Sequence, residues 1–187
     1  EGKLGLFDLW QQHNEHRIFF PKLIMLGLAW LSNWNIMLEL YTNVFLAGLI
    51  LVFLWLLLRR CLNDCSFKTY WLLLLIASCL VFSSVQHENW TWGWQIQIFL
   101  SVLTTVISVW AVTGWPGQCK GLLISAISAV VASYSFNNGL LTWIIVGIIL
   151  FVQKHHRRWI FLAVWILIFI ITYILNNQPQ GNFIKST

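Results

Sequence analysis

From Ile36 to Leu58 the chain is apolar apart from Glu39 and a few amide and hydroxyl side chains, and it stops at Arg59 and Arg60. About 20 apolar residues in a helix cross the roughly 30 Å hydrocarbon core of a bilayer, so this run constrains the fold more than any other feature. Lipid offers no partner to a backbone amide, and a helix satisfies those groups within itself. Similar runs follow and leave room for little else. Of 187 residues, 59% are hydrophobic and 9% charged, against roughly 25% charged in a soluble domain. The length accommodates about six spans with short connections and no separate soluble domain.

Direction is read from where Lys and Arg collect. Arg59, Arg60 and the CLNDCSFKT loop with Lys68 are expected in the cytoplasm. Tyr70 to Val85 then returns outward to the Trp-rich stretch QHENWTWGWQIQ, residues 86 to 97. Ile98 to Thr113 leads inward to GWPGQCK, whose Gly and Pro mark a turn and whose Lys120 suits the inside. Gly121 to Leu150 reads as one run, yet QKHHRR after it must also be inside, so the number of crossings between them is even. YSFNNG, Tyr134 to Gly139, supplies the outer hairpin turn. Trp159 to Leu175 is the last span, and NNQPQGNFIKST ends outside.

Ile18 to Leu31 is apolar with Pro21 at a favourable helix start, but a full crossing there would put Arg59 and Arg60 outside. It is expected to lie along the outer surface or to re-enter. The expected fold is therefore an all-α polytopic transmembrane bundle. Residues 1–35 form an extracytoplasmic loop and interfacial or re-entrant helix, 36–175 six spans, and 176–187 an extracytoplasmic tail. Seven basic residues then face inward and four, Lys3, Arg17, Lys22 and Lys185, outward, in keeping with the positive-inside rule.

The net charge of +5 is dispersed among short loops rather than gathered in one stripe, which argues against nucleic acid. Cys61, Cys65, Cys79 and Cys119 form no CxxC pair and read as free thiols. There is no phosphate-binding glycine loop, no recognisable Ser-His-Asp arrangement and no internal repeat of the secondary-transporter kind. The chain opens on Glu1 with no signal-type segment ahead of its polar start, which gives the expectation of a fragment or processed piece.

The topology gathers HNEHR, QHENWTWGW, SFNNG and NNQPQGN on the outer side, as one site or as ordinary solvated connections. His13, Glu15, His16 and Arg17 are the densest ionisable cluster. His13 and His16 share a helical face, and with His87 and Glu88 opposite they leave a divalent metal open without defining a third ligand. Glu15 and Arg17 read either as a solvated pair at the membrane edge or as a phosphate contact, since a guanidinium grips phosphate bidentately. In the tryptophan stretch Glu88 is the only acid, flanked by Gln86 and Asn89, which suit sugar hydroxyls, and by Trp90, Trp92 and Trp94, which suit sugar rings or interfacial anchoring. Glu39 and Asn43 share a face four residues into the first span, where an ionisable group is a functional candidate. Asn137 and Asn138 fit a turn as readily as a site.

At HNEHRIFFPKL, QHENWTWGWQ and SFNNGLLTW the sequence resembles bacterial polytopic membrane glycosyltransferases of the GT-C type, over about Asp8 to Leu175. The resemblance implies an enzyme of the cytoplasmic (inner) membrane and cell envelope. Such an enzyme takes a sugar from a polyprenyl-phosphate carrier and transfers it to an extracytoplasmic glycan or lipid acceptor. Enzymes of that type carry a catalytic acid in the first outer loop, just after their first span, which the resemblance implies would lie ahead of Glu1. The resemblance assigns Glu15, His16 and Arg17 to the first motif, Gln86, Glu88, Asn89 and Trp92 to the second, and Asn137 and Asn138 to the third. Glu15 or Glu88 would position or deprotonate the acceptor, Arg17 would neutralise the phosphate leaving group, and Trp92 would stack on a sugar. The alternative is a non-catalytic or transport membrane protein that binds a lipid or solute, and a third possibility is a membrane scaffold.

Overall fold

The computed structural model describes residues 9–11, 17–62 and 67–177. Among these the chain is all-helical and contains no strand. The helices are α1 (Phe19–Ser32), α2 (Ile36–Cys61), α3 (Phe67–Val81), the short α4 (His87–Thr91), α5 (Ile96–Gly114), α6 (Cys119–Ser133), α7 (Leu141–Val152) and α8 (Arg158–Asn176).

Four helical segments, Ile36–Cys61, Phe67–Thr91, Gly93–Gly114 and Arg158–Asn176, are long and apolar enough to cross a membrane. Phe19–Ser32, Cys119–Ser133 and Asn137–Val152 are apolar but shorter. Large side chains such as Phe45, Leu75, Ile148, Ile160 and Leu167 stand exposed on these helices. A water-soluble surface rarely carries so much contiguous apolar area, whereas lipid covers it at no cost.

Local chemistry sets the boundaries. Asn33 adopts a left-handed conformation (φ 52°) and closes α1, with Trp34 (φ 66°) directly after it; asparagine tolerates that region better than most residues. Asn35 then caps α2 by accepting a hydrogen bond from the Met37 amide at 3.0 Å. The long apolar stretch from Gly121 to Leu150 is broken at Tyr134–Phe136, as the YSFNNG composition predicts, and resumes in a tight turn at Asn137–Leu140. Gly139 packs so closely on the Ala132 carbonyl that a Cβ there would overlap it. The fourteen residues of α1 rise only about 21 Å, and the helix rests on α2 and α5 through Phe20, Ile24 and Leu28.

The centre of the bundle is the α5–α6 seam, built from small residues. Ser108 and Ser125 share a hydrogen bond at 2.7 Å, and Ser108 also donates to the Ser125 carbonyl at 2.9 Å. Ser101 donates to the Ala132 carbonyl at 3.4 Å, and Thr105 meets Thr142 of α7 at 2.7 Å. Helices in lipid gain no hydrophobic drive against one another, so close backbone approach and such hydroxyl contacts hold them together. One apolar cluster joins α5 to α6, α7 and α8 around Trp143 and Trp165, whose centroids lie 4.6 Å apart. A second joins α2 to α5 around Ala47, Ile96 and Phe99. No residue of α3 is buried.

Two ends of the bundle are defined by contacts. At one, Arg60 donates to the Trp110 carbonyl at 2.9 Å, Gln153 donates to the Val112 carbonyl at 2.9 Å, and the His155 ring covers Gly117. The segments GWPGQCK and QKHHRR thus lie together, beside Arg60, as the charge pattern requires. At the opposite end are Arg17, Tyr134 and Asn176. Cys61, Cys79 and Cys119 are free and exposed; Cys65 lies outside the described residues.

Candidate functional site

Arg17 is not a solvated surface residue. It is 5% exposed, and two separate parts of the chain, at Trp10 and Asn176, hold it. Its backbone N–H donates to Asn176 Oδ1 at 3.4 Å, and Nη1 donates to the Trp10 carbonyl at 3.2 Å. The guanidinium lies 4.9 Å from the Trp10 ring centroid, a cation–π contact. Trp10 in turn packs on Tyr134 at 5.2 Å between centroids and edge-on against Phe19 at 5.7 Å.

Tyr134 completes the arrangement. Its hydroxyl donates to the Thr172 carbonyl at 3.2 Å, and its own carbonyl accepts from the Phe20 amide at 3.4 Å. Burial raises the Tyr134 phenol above its usual pKa, and the nearby Arg17 charge works in the opposite direction. The phenol is therefore a neutral donor at physiological pH, next to a fixed positive charge. The first turn of α1, the end of α6 and the end of α8 converge on these three residues. The solvated-pair alternative for Arg17 does not fit its burial. Glu15 and His16, along with His13, lie outside the described residues.

The QHENWTWGW stretch folds into two short turns flanking α4. Gln86 donates to the Leu80 carbonyl at 2.9 Å, and the Asn89 amide reaches Gln86 Oε1 at 3.5 Å, so both amides help to shape the segment. Asn43 of α2, fully buried, donates to the carbonyls of Asn89 at 3.4 Å and Trp92 at 3.1 Å. One further oxygen, Asn43 Oδ1, is buried without a hydrogen-bond partner among the described residues. Gly93 lies flat against the Glu39 side chain, where any Cβ would collide with it. The pair expected on one face of the first span thus docks the loop.

The tryptophans divide by role. Trp90 stacks on Phe82 (5.4 Å, 15°) and packs on Phe99 at 4.9 Å, which anchors the segment. Trp92 is 61% exposed, and Glu88 and His87 are exposed beside it. Asn137 and Asn138 project from the turn and are exposed. Phe20, next to the Arg17 patch, and Trp90 both pack against the cluster containing Ile96 and Phe99, so the two patches share an apolar floor. Arg17 is linked to Tyr134, directly before the SFNNG segment, through the Trp10 ring that both contact.

Among the described residues no three metal-capable side chains cluster. Of the cavities, one of about 390 Å³ lies between α2 and α3 and one of about 320 Å³ between α7 and α8; neither is lined by Arg17, Gln86, Glu88, Asn89, Trp92, Asn137 or Asn138, and of the motif stretches only Trp143, at the end of SFNNGLLTW, borders the second. Trp10, Tyr134 and Asn176 were not singled out from the sequence. Tyr134 and Asn176 do open two polar stretches, YSFNNG and NNQPQGN, that were expected at this end. No family model, curated protein or solved structure matches the chain.

Proposed function

We propose that the chain is part of a bacterial inner-membrane glycosyltransferase of the GT-C kind, acting on a polyprenyl-phosphate-linked sugar at the extracytoplasmic face. The observation that carries this is the buried, pre-oriented Arg17 near Tyr134, which opens the YSFNNG turn. A guanidinium fixed by a ring and a carbonyl is ready to receive phosphate without ordering a flexible side chain first. In this proposal α6 and α7 complete six spans as a short, tilted hairpin, and α1 lies along or re-enters the outer surface.

The transfer forms a bond between an acceptor hydroxyl oxygen and the anomeric carbon, while the bond from that carbon to the phosphate oxygen breaks. The leaving polyprenyl phosphate keeps the electron pair and is neutralised by Arg17. The hydroxyl proton passes to a carboxylate, Glu88 or Glu15, and exposed Trp92 stacks on a sugar. His16, Gln86, Asn89, Asn137 and Asn138 are assigned to hydroxyl contacts. A transport role draws less support, because among the described residues the bundle centre is closed by the Ser108–Ser125 seam rather than lined by paired charges.

Transfer from a radiolabelled polyprenyl-phosphate sugar, in membranes holding the complete protein at matched levels, tests the proposal. Arg17→Lys keeps the charge but loses the planar fork. With a charge-assisted hydrogen bond contributing about 1.5–3 kcal/mol, transfer should fall roughly tenfold to a hundredfold. Glu88→Gln, at an exposed position that does not bear on folding, should also reduce it. Undiminished transfer in both variants sinks the assignment.

A further inference from the structure

The wider of the two cavities lies at the opposite end from Arg17 and is unrelated to sugar transfer. It runs between α2 and α3, lined by Leu51, Val52, Trp55, Trp71, Leu75 and neighbours, and holds about 390 Å³. Both walls belong to helical segments apolar enough to cross a membrane, and α3 buries no residue of its own.

Its mouth is charged. Arg59, one turn beyond Trp55, places its guanidinium 5.4 Å from the Trp55 ring centroid and is otherwise exposed. Lys68, one turn before Trp71 on the facing wall, is exposed as well. Arg60 differs from both: its guanidinium donates to the Trp110 carbonyl and lies 5.2 Å from that ring, so it is committed to packing on α5. An apolar slot between two helices, with two exposed cations about one helical turn beyond its aromatic walls, has the complementarity of an anionic lipid: acyl chain in the slot, phosphate at the cations.

We infer that the α2–α3 groove is a binding site for one anionic phospholipid, its acyl chain between Trp55 and Trp71 and its phosphate on Arg59 and Lys68. A second copy of the chain is the competing occupant, and mass separates the two.

The experiment is native mass spectrometry of the purified full chain, released from detergent micelles containing equimolar phosphatidylglycerol and phosphatidylcholine. One phosphatidylglycerol should be retained in preference to phosphatidylcholine. Arg59→Gln and Lys68→Gln should each reduce that preference about fivefold, in line with the attraction of one basic residue near a bilayer surface. Lys154→Gln, also exposed at this end, should leave it unchanged. Leu75→Trp should fill the slot and lower retention with both cations in place. No headgroup preference, equal loss in all three charge variants, retention that survives Leu75→Trp, or a protein dimer in place of bound lipid would each overturn the inference.

Discussion

Gly139 shows how much a single position without a side chain can decide. The chain turns back at YSFNNG because the backbone at 139 lies directly on the Ala132 carbonyl, the last turn of α6. The obstacle is backbone, so it cannot rotate aside, and Gly139→Ala should lower stability by about 1–3 kcal/mol, the usual cost of overpacking. Gly48, inside α2, is the control: a Cβ there meets nothing within 4 Å, and Gly48→Ala should hold or gain roughly 0.5–1 kcal/mol through helix propensity. Thermal unfolding of the two variants in one detergent, followed by helical circular dichroism, gives the comparison. Similar midpoints would mean that the turn tolerates a side chain. The polar residues of the same motif are visible in sequence, but which of them is steric and which is free is not. Arg17 was legible as a candidate because arginine at a membrane edge is conspicuous. Its partner Asn176 lies 159 positions away, a distance over which no periodicity carries information.

At the level of helices, apolar run length and basic flanks locate α2, the break between α6 and α7, and the final helix α8. They do not reveal how helices choose neighbours. The seam between α5 and α6 depends on Ser101, Ser108, Ser125 and Ala129, residues that look like incidental small side chains within apolar runs. Their role appears only when the two helices are juxtaposed and Ser108 meets Ser125 at 2.7 Å. The Trp-rich stretch after α3 contains the short helix α4, docked by Asn43 through two backbone carbonyls, which its polar composition does not reveal. If the seam rests on close approach more than on the hydroxyl pair, Ser108→Ala should cost only about 0.6 kcal/mol, the typical worth of an interhelical hydrogen bond in lipid. Ser108→Leu, which forces the backbones apart at a fully buried position, should cost about 1–3 kcal/mol or more. Equal midpoints for the two variants would assign the seam to hydrogen bonding instead.

For the molecule as a whole, the decisive property is which end faces which side of the membrane. Contacts alone put GWPGQCK, QKHHRR and Arg60 at one end and Arg17, Tyr134 and Asn176 at the other. The basic residues favour the first end for the cytoplasm, because Lys and Arg are retained there during insertion. The two short helices α6 and α7 are where this is most exposed to test, since fifteen and twelve helical residues rise only about 22 Å and 18 Å. A bilayer thins around so short a pair, or flanking residues snorkel, to accommodate such a mismatch at a modest cost. Single cysteines placed in a background lacking Cys61, Cys65, Cys79 and Cys119 separate the possibilities. Lys68→Cys and Lys154→Cys should be protected in intact cells from a membrane-impermeant maleimide and label after permeabilisation. Thr91→Cys and Asn138→Cys, all four positions being exposed, should label in intact cells. Labelling of positions 68 and 91 from the same side would remove the six-span arrangement and the shared outer site together. Protection of position 138 alone, with position 91 labelled, would mean that the α6–α7 hairpin stays below the outer surface, and the SFNNG segment would then lose its place beside a lipid-linked sugar.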